Sequence, residues 1–167
     1  GNPSPYQVIE YGGALYAVGD VNIGVEKFAR WSGTQWNAVG SVTIQPRKLA
    51  VHDGYLYVGG RMIVAGANAA LLRWDGATGL VMDVGFSTTT AILERDQSLL
   101  LAGTLSGSST NVVGIWNGVT LEQIASANTP ILKMARHGDD VYLSGDFSTV
   151  DGVPSSRLAR ITTRCRS

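Results

Sequence analysis

The side chains best suited to chemistry fall into columns rather than clusters. The two histidines of this 167-residue chain, His52 and His137, each stand eight residues ahead of a glycine, Gly60 and Gly145. Tyr11 and Arg95 stand at the same distance ahead of Gly19 and Gly103. A phenol, two imidazoles and a guanidinium gathered at one rim would bind an anionic or sugar ligand; the plainer alternative is four polar residues at turns. Arg30, Arg73 and Arg160 form a second column, before a tryptophan or its equivalent. A guanidinium repeated beside an aromatic is expected as a structural clamp, stacked on a ring or paired with a carboxylate. Trp31, Trp74 and Trp116 read as core wedges between blades, whereas Trp36 is an extra ring in an outer strand that could stack on a sugar or join an interface.

Catalysis is not expected. A nucleophile elbow, a P-loop, a CxxC pair, an HExxH segment and an EF-hand loop are all absent from the sequence. An enzyme acting on polysaccharide would need converging carboxylates, and Glu10 and Glu94 are the one repeat-matched pair at the inner-strand end. Asp139, Asp140, Asp146 and Asp151 make the last repeat acidic but lack the alternating spacing of a calcium loop, so they read as solvated turn residues and no metal is implied. No cofactor is implied either. Cys165 is the single cysteine, which excludes an internal disulfide; it reads as a tail residue of no consequence, with an intermolecular link as the alternative.

Composition narrows the partners. Lys and Arg total 13 and Asp and Glu total 13, so there is no basic excess for a phosphate backbone, and nucleic acid is not expected as a partner. Apolar runs fall far short of the roughly 20 residues that cross a bilayer, so membrane insertion is not expected. With 44% hydrophobic residues the chain can bury a core, and 21 glycines among short apolar runs point to many short strands joined by tight turns.

The elements that must position these columns are repeats. Leu15-Tyr16-Ala17-Val18-Gly19, Leu56-Tyr57-Val58-Gly59-Gly60, Leu99-Leu100-Leu101-Ala102-Gly103 and Val141-Tyr142-Leu143-Ser144-Gly145 align on their last glycines, which are 41, 43 and 42 residues apart. A second landmark keeps the same spacing: Trp31-Ser32-Gly33, Trp74-Asp75-Gly76, Trp116-Asn117-Gly118 and a degenerate Arg160-Ile161-Thr162. Each unit reads as four strands. The first strands are Gln7 to Tyr11, Lys48 to His52, Ala91 to Arg95 and Lys133 to His137; the third ends at the tryptophan and an S/D/N-Gly turn leads to the fourth. Segments such as Leu56-Tyr57-Val58 are apolar on both faces, as a sheet held between neighbouring sheets requires. The expected fold is therefore all-β, a β-propeller of four approximately 42-residue four-stranded blades, with repeats at 6–46, 47–88, 89–130 and 131–163 of one domain spanning 1–167. A solenoid of the same sheets is the alternative. The last repeat stops after its third strand near Thr163, and residues 1 to 5 are too few for a good outer strand. The propeller is thus closed as a tight ring, incomplete, or completed by a partner chain.

The run from Gly145-Asp146-Phe147 through Gly152 to Leu158-Ala159-Arg160-Ile161 resembles the GG-x-F-x-x-x-x-G-x-x-x-x-x-I/L-A-R repeat of bacterial and phage propellers. Trp31-Ser32-Gly33-Thr34-Gln35-Trp36-Asn37-Ala38-Val39-Gly40 is similar to the W-x-G-x-x-W-x-x-L-G continuation of that repeat. Such repeats are similar to those of fungal cortical-marker proteins, bacterial cell-surface proteins and virion proteins of tailed phages. The resemblance implies a non-enzymatic structural or attachment module of a phage virion, located in the virion or at a cell surface, whose partners are other protein subunits. Its alternative is a small lectin-like propeller or surface adhesion module binding glycans through Trp36 and the Tyr11, His52, Arg95, His137 set. Repeat three departs most, with Leu100 for the tyrosine, Gln97 for the turn glycine and Gly114-Ile115 before its tryptophan, so that blade is expected to pack differently or to face a partner.

Overall fold

The computed structural model describes residues 4–21 and 23–162; Thr163 and Cys165 lie outside them. The chain is all-β, its four small antiparallel sheets being the blades of a four-bladed β-propeller. It divides into two compact units, 1–83 and 84–167.

The first unit holds two four-stranded blades. Blade 1 is β1 (Ser4–Tyr11), β2 (Ala14–Asp20), β3 (Phe28–Trp31) and β4 (Trp36–Ala38), and blade 2 is β5 (Val42–His52), β6 (Tyr55–Val64), β7 (Ala67–Trp74) and β8 (Gly79–Met82). The inner strands run longer than the sequence suggests. β5 begins at Val42 because its first residues pair with the far end of β6, Val42 opposite Val64. Asp53 and Gly54, at φ 48° and 75°, turn β5 into β6, the backbone that a two-residue hairpin requires. The blades bury a shared core in which Tyr16, Val18 and Phe28 meet Leu56, Val58, Leu72 and Trp74. Tyr16 stacks on Phe28 with centroids 5.7 Å apart, and Phe28 meets Trp74 edge-on at 6.0 Å. Each such buried ring contributes roughly 1.5–3 kcal/mol through its area alone. Gln7 ties the inner strands together, donating to the Leu49 carbonyl at 2.8 Å and accepting from the Leu49 N–H at 2.9 Å.

The second unit holds blade 3, with β9 (Phe86–Arg95), β10 (Ser98–Leu105), β11 (Asn111–Trp116) and β12 (Leu121–Ala127), and blade 4, which begins with β13 (Ile131–His137) and β14 (Asp140–Gly145). A short hairpin follows, β15 (Thr149–Val150) and β16 (Val153–Pro154), and then β17 (Leu158–Thr162). Among the described residues blade 4 has three strands, in the order β13-β14-β17. The hairpin, a loop in the sequence, instead pairs Val150 with Ala127 and lengthens the sheet of blade 3 to six strands. Leu99, Leu100, Leu101 and Ala102 are at most 1% exposed, so β10 is covered on both faces. The core joins Leu100, Ala102 and Val113 to Ile131, Val141, Leu143 and Phe147. Thr90 donates to the Ile131 carbonyl at 2.5 Å, linking the two inner strands as Gln7 does in the first unit.

The repeated glycine has a steric cause. In every blade it faces a register shift of the inner strand, at Pro5/Gln7, Pro46/Lys48, Thr89/Ala91 and Ile131/Lys133. The bulged backbone comes so close that a Cβ on Gly19 would sit 2.7 Å from the Tyr6 nitrogen, and one on Gly60 would run into the Gln45 carbonyl. Gly114, a departure of repeat three, has a local reason too: a Cβ there would lie 2.7 Å from Cγ of Leu121.

Candidate functional site

Cross-strand register explains the arginine column. Tyr16 faces Arg30, Tyr57 faces Arg73 and Tyr142 faces Arg160, so three blades carry a Tyr–Arg pair between their second and third strands. In blade 3 the same row is Leu100 opposite Ile115, both members changed together. In two of these blades the guanidinium meets the residue two positions before the tyrosine, on the same strand face. In blade 2 this is Tyr55, over whose ring the Arg73 guanidinium lies 4.3 Å from the centroid. In blade 4 it is Asp140, which pairs with Arg160 at 3.5 Å and accepts from the Thr162 hydroxyl at 2.7 Å. In blade 1 it is Ala14, too short to reach, and Arg30 has no hydrogen-bond or ion-pair partner among the described residues.

A cavity of about 830 Å³ opens at that position, lined among others by Ala14, Tyr16, Arg30, Trp31, Asn37 and Trp74. β2, β3 and β4 set Tyr16, Arg30 and Asn37 in one cross-strand row, and the end of β7 supplies Trp74. Asn37 accepts a hydrogen bond from Gln35 Nε2 at 2.9 Å, which leaves its two amide hydrogens for another acceptor. Among the described residues no aspartate or glutamate lines the cavity. The neighbouring Asp75 is engaged in its own turn, accepting from the Ala77 and Thr78 N–H groups at 2.7 and 2.6 Å and from the Thr78 hydroxyl at 2.7 Å. These bonds, the Thr78 hydroxyl foremost, hold its carboxyl at about 2.

The four residues of the histidine column each end an inner strand, but they do different work. The Tyr11 hydroxyl donates to the Gly54 carbonyl at 2.9 Å, and partial burial raises its pKa, with the Asp75 charge adding to the effect. His52 is 9% exposed, its ring tilted against Tyr57 at 6.3 Å. These two belong to the first unit, where the Tyr11 ring meets Tyr16, a residue of the cavity lining, edge-on at 5.8 Å. In the second unit Arg95 is half-buried, while His137 is exposed beside a hollow of about 570 Å³ that it shares with Asp140 and Arg160. The next pair along brings those two strand ends together, Arg136 meeting Asp96 at 3.0 Å. Glu10 and Glu94 are exposed and sit in different units.

The tryptophan column is not uniform. Trp74 and Trp116 are buried, as core wedges should be, but Trp31 is half-buried and corrects that expectation: it faces Trp36 across β3–β4, with centroids 5.3 Å apart. Trp36 packs against Ala17, Val21 and Ala29 on the sheet face opposite Arg30, outside the cavity's lining. Of the acidic residues, Asp151 accepts from the Ser126 N–H at 2.7 Å and Asp140 holds Arg160, so both serve the fold. Among the described residues no group of three or more His, Cys, Asp or Glu is placed to hold a metal. No sequence motif marks the cavity at Arg30. Its signal is the column Ala14, Tyr55, Ser98, Asp140, where a small residue precedes a Tyr–Arg pair.

No family model and no curated protein matches the chain. Among solved structures it is similar to the computationally designed Ika4 protein, seen in a crystal structure, with a TM-score of 0.58 and 11% identity over 97% of this chain and 92% of that one. At that identity the likeness is one of fold.

Proposed function

We propose that the chain is a non-enzymatic structural or attachment module, a virion component that works by joining other protein subunits. The observation that carries this is the three-stranded blade 4. Its outer strand β17 has no neighbour beyond it among the described residues, and Leu158 on that strand is 61% exposed. Backbone groups on such an edge accept a further strand from another chain. The virion setting rests on the repeat resemblance alone. Light scattering of the full chain over a range of concentrations should give a discrete oligomer or a rising mass, and Leu158→Lys should lower that mass. A constant monomer in which the amides of β17 are protected from exchange would overturn the proposal.

Glycan binding is a second reading, and the cavity beside Arg30 favours it. Its volume lies in the range of small-ligand sites, and it combines aromatic walls with a few directed polar groups.

A further inference from the structure

We propose that the cavity of blade 1 is a site for an acidic sugar, with Arg30 receiving the carboxylate. The inference rests on the glycan reading and adds the charge of the ligand. Blades 2 and 4 show what this position does when it is filled from within the chain: Arg73 lies on the Tyr55 ring and Arg160 pairs with the Asp140 carboxylate. Blade 1 keeps the Tyr–Arg pair and lacks the third member, because Ala14 occupies the place of Tyr55 and Asp140. The space left by that side chain is part of the cavity, which Ala14 and Arg30 both line. A ligand carboxylate would stand where the Asp140 carboxylate stands in blade 4, making charge-assisted hydrogen bonds of the planar kind that guanidinium favours.

The other polar group in the row points to the same sign of ligand. Asn37 has its carbonyl taken by Gln35 and offers N–H donors, as Arg30 does. Among the described residues no carboxylate lines the cavity, and Asp75 is engaged by its own turn, so no acidic side chain there competes for the guanidinium. Tyr16 and Trp74 among the lining residues supply flat apolar surface, which suits the face of a pyranose ring better than an extended acidic side chain.

The test is a titration of the full chain, followed by tryptophan fluorescence and calorimetry, with digalacturonate, its dimethyl ester and N-acetylglutamate amide. The ester keeps the shape of the disaccharide and removes its charge. The expected result is that digalacturonate binds about tenfold more tightly than the ester, the step that one charge-assisted contact supplies. Arg30→Gln should bring the two within about twofold of each other, with the far-ultraviolet spectrum and melting temperature unchanged. Ala14→Asp, which writes the Asp140–Arg160 arrangement into blade 1, should abolish binding while the chain stays folded. Equal binding of diacid and ester overturns the inference and leaves glycan binding standing. No binding of either sugar overturns both. Binding of N-acetylglutamate amide as tightly as digalacturonate makes the site one for acidic peptides and overturns the sugar assignment.

Discussion

Blades 1 and 2 share a strand order, a turn chemistry and a Tyr–Arg pair, yet one arginine is held within the protein and the other is not. In blade 2 the ring of Tyr55 lies under Arg73; in blade 1 the methyl of Ala14 leaves Arg30 facing a cavity. Blade 3 shows the opposite extreme, where Leu100 and Ile115 remove the polar pair altogether. The frame is common to all of them, and the chemistry at this row varies because the row lies near the strand ends, where one side chain decides whether a charge is satisfied internally. Packing conserves the glycines and the apolar second strand; it does not dictate what Arg30 binds.

The shared frame is where the largest effect lies. Gly60→Ala drives a Cβ into the Gln45 carbonyl and Pro46 Cα, backbone that cannot swing aside, and should lower stability by about 3 kcal/mol in chemical denaturation. A change below about 0.5 kcal/mol would mean that the bulge relaxes easily and that the blades are not held to one register. An intermediate effect comes from rewriting blade 3. Leu100→Tyr places a hydroxyl at a fully buried position, and Ile115→Arg places a charge at a half-buried one, so each alone should destabilise by about 2 kcal/mol. Together they recreate the cross-strand pair next to Glu122, and the double variant should recover about 1 kcal/mol relative to the sum of the two. Strict additivity would show that the row has no pairwise content. The smallest effect separates blades 1 and 2 directly. Arg73→Ala should cost about 0.5–1 kcal/mol through the lost contact with Tyr55, while Arg30→Ala should stay within about 0.5 kcal/mol. Equal losses would show that Arg30 has a structural role after all.

Much of the frame was legible in the sequence because it has a period. Two landmarks at one spacing give the blades, and the glycine landmark is legible because bulged backbone makes the same demand four times. The tight turns and the second strands, covered on both faces, follow from local residue types. Features peculiar to one copy were harder to read. Trp31 sits in the same column as Trp74, but Trp36 faces it across the hairpin where Gly79 faces Trp74, a pairing set by register. The β15–β16 hairpin reads as a variable loop, since the pairing of Val150 with Ala127 joins residues of different repeats. The cavity at Arg30 carries no motif of its own: it arises from the missing side chain at Ala14, and only comparison between blades exposes it.

That hairpin also makes a shared boundary of the outer strand of blade 3. The Ser126 N–H is held by the Asp151 carboxylate at 2.7 Å, and the Asp151 N–H returns to the Ser126 carbonyl at 2.9 Å. Asn128 adds bonds to the N–H groups of Ser148 and Thr149 at 3.0 and 3.1 Å. Fraying at the end of β12 therefore requires release of a loop that belongs to blade 4, so local opening in the second unit is a joint event, with the amides of Ser126 and Asp151 exchanging on one clock.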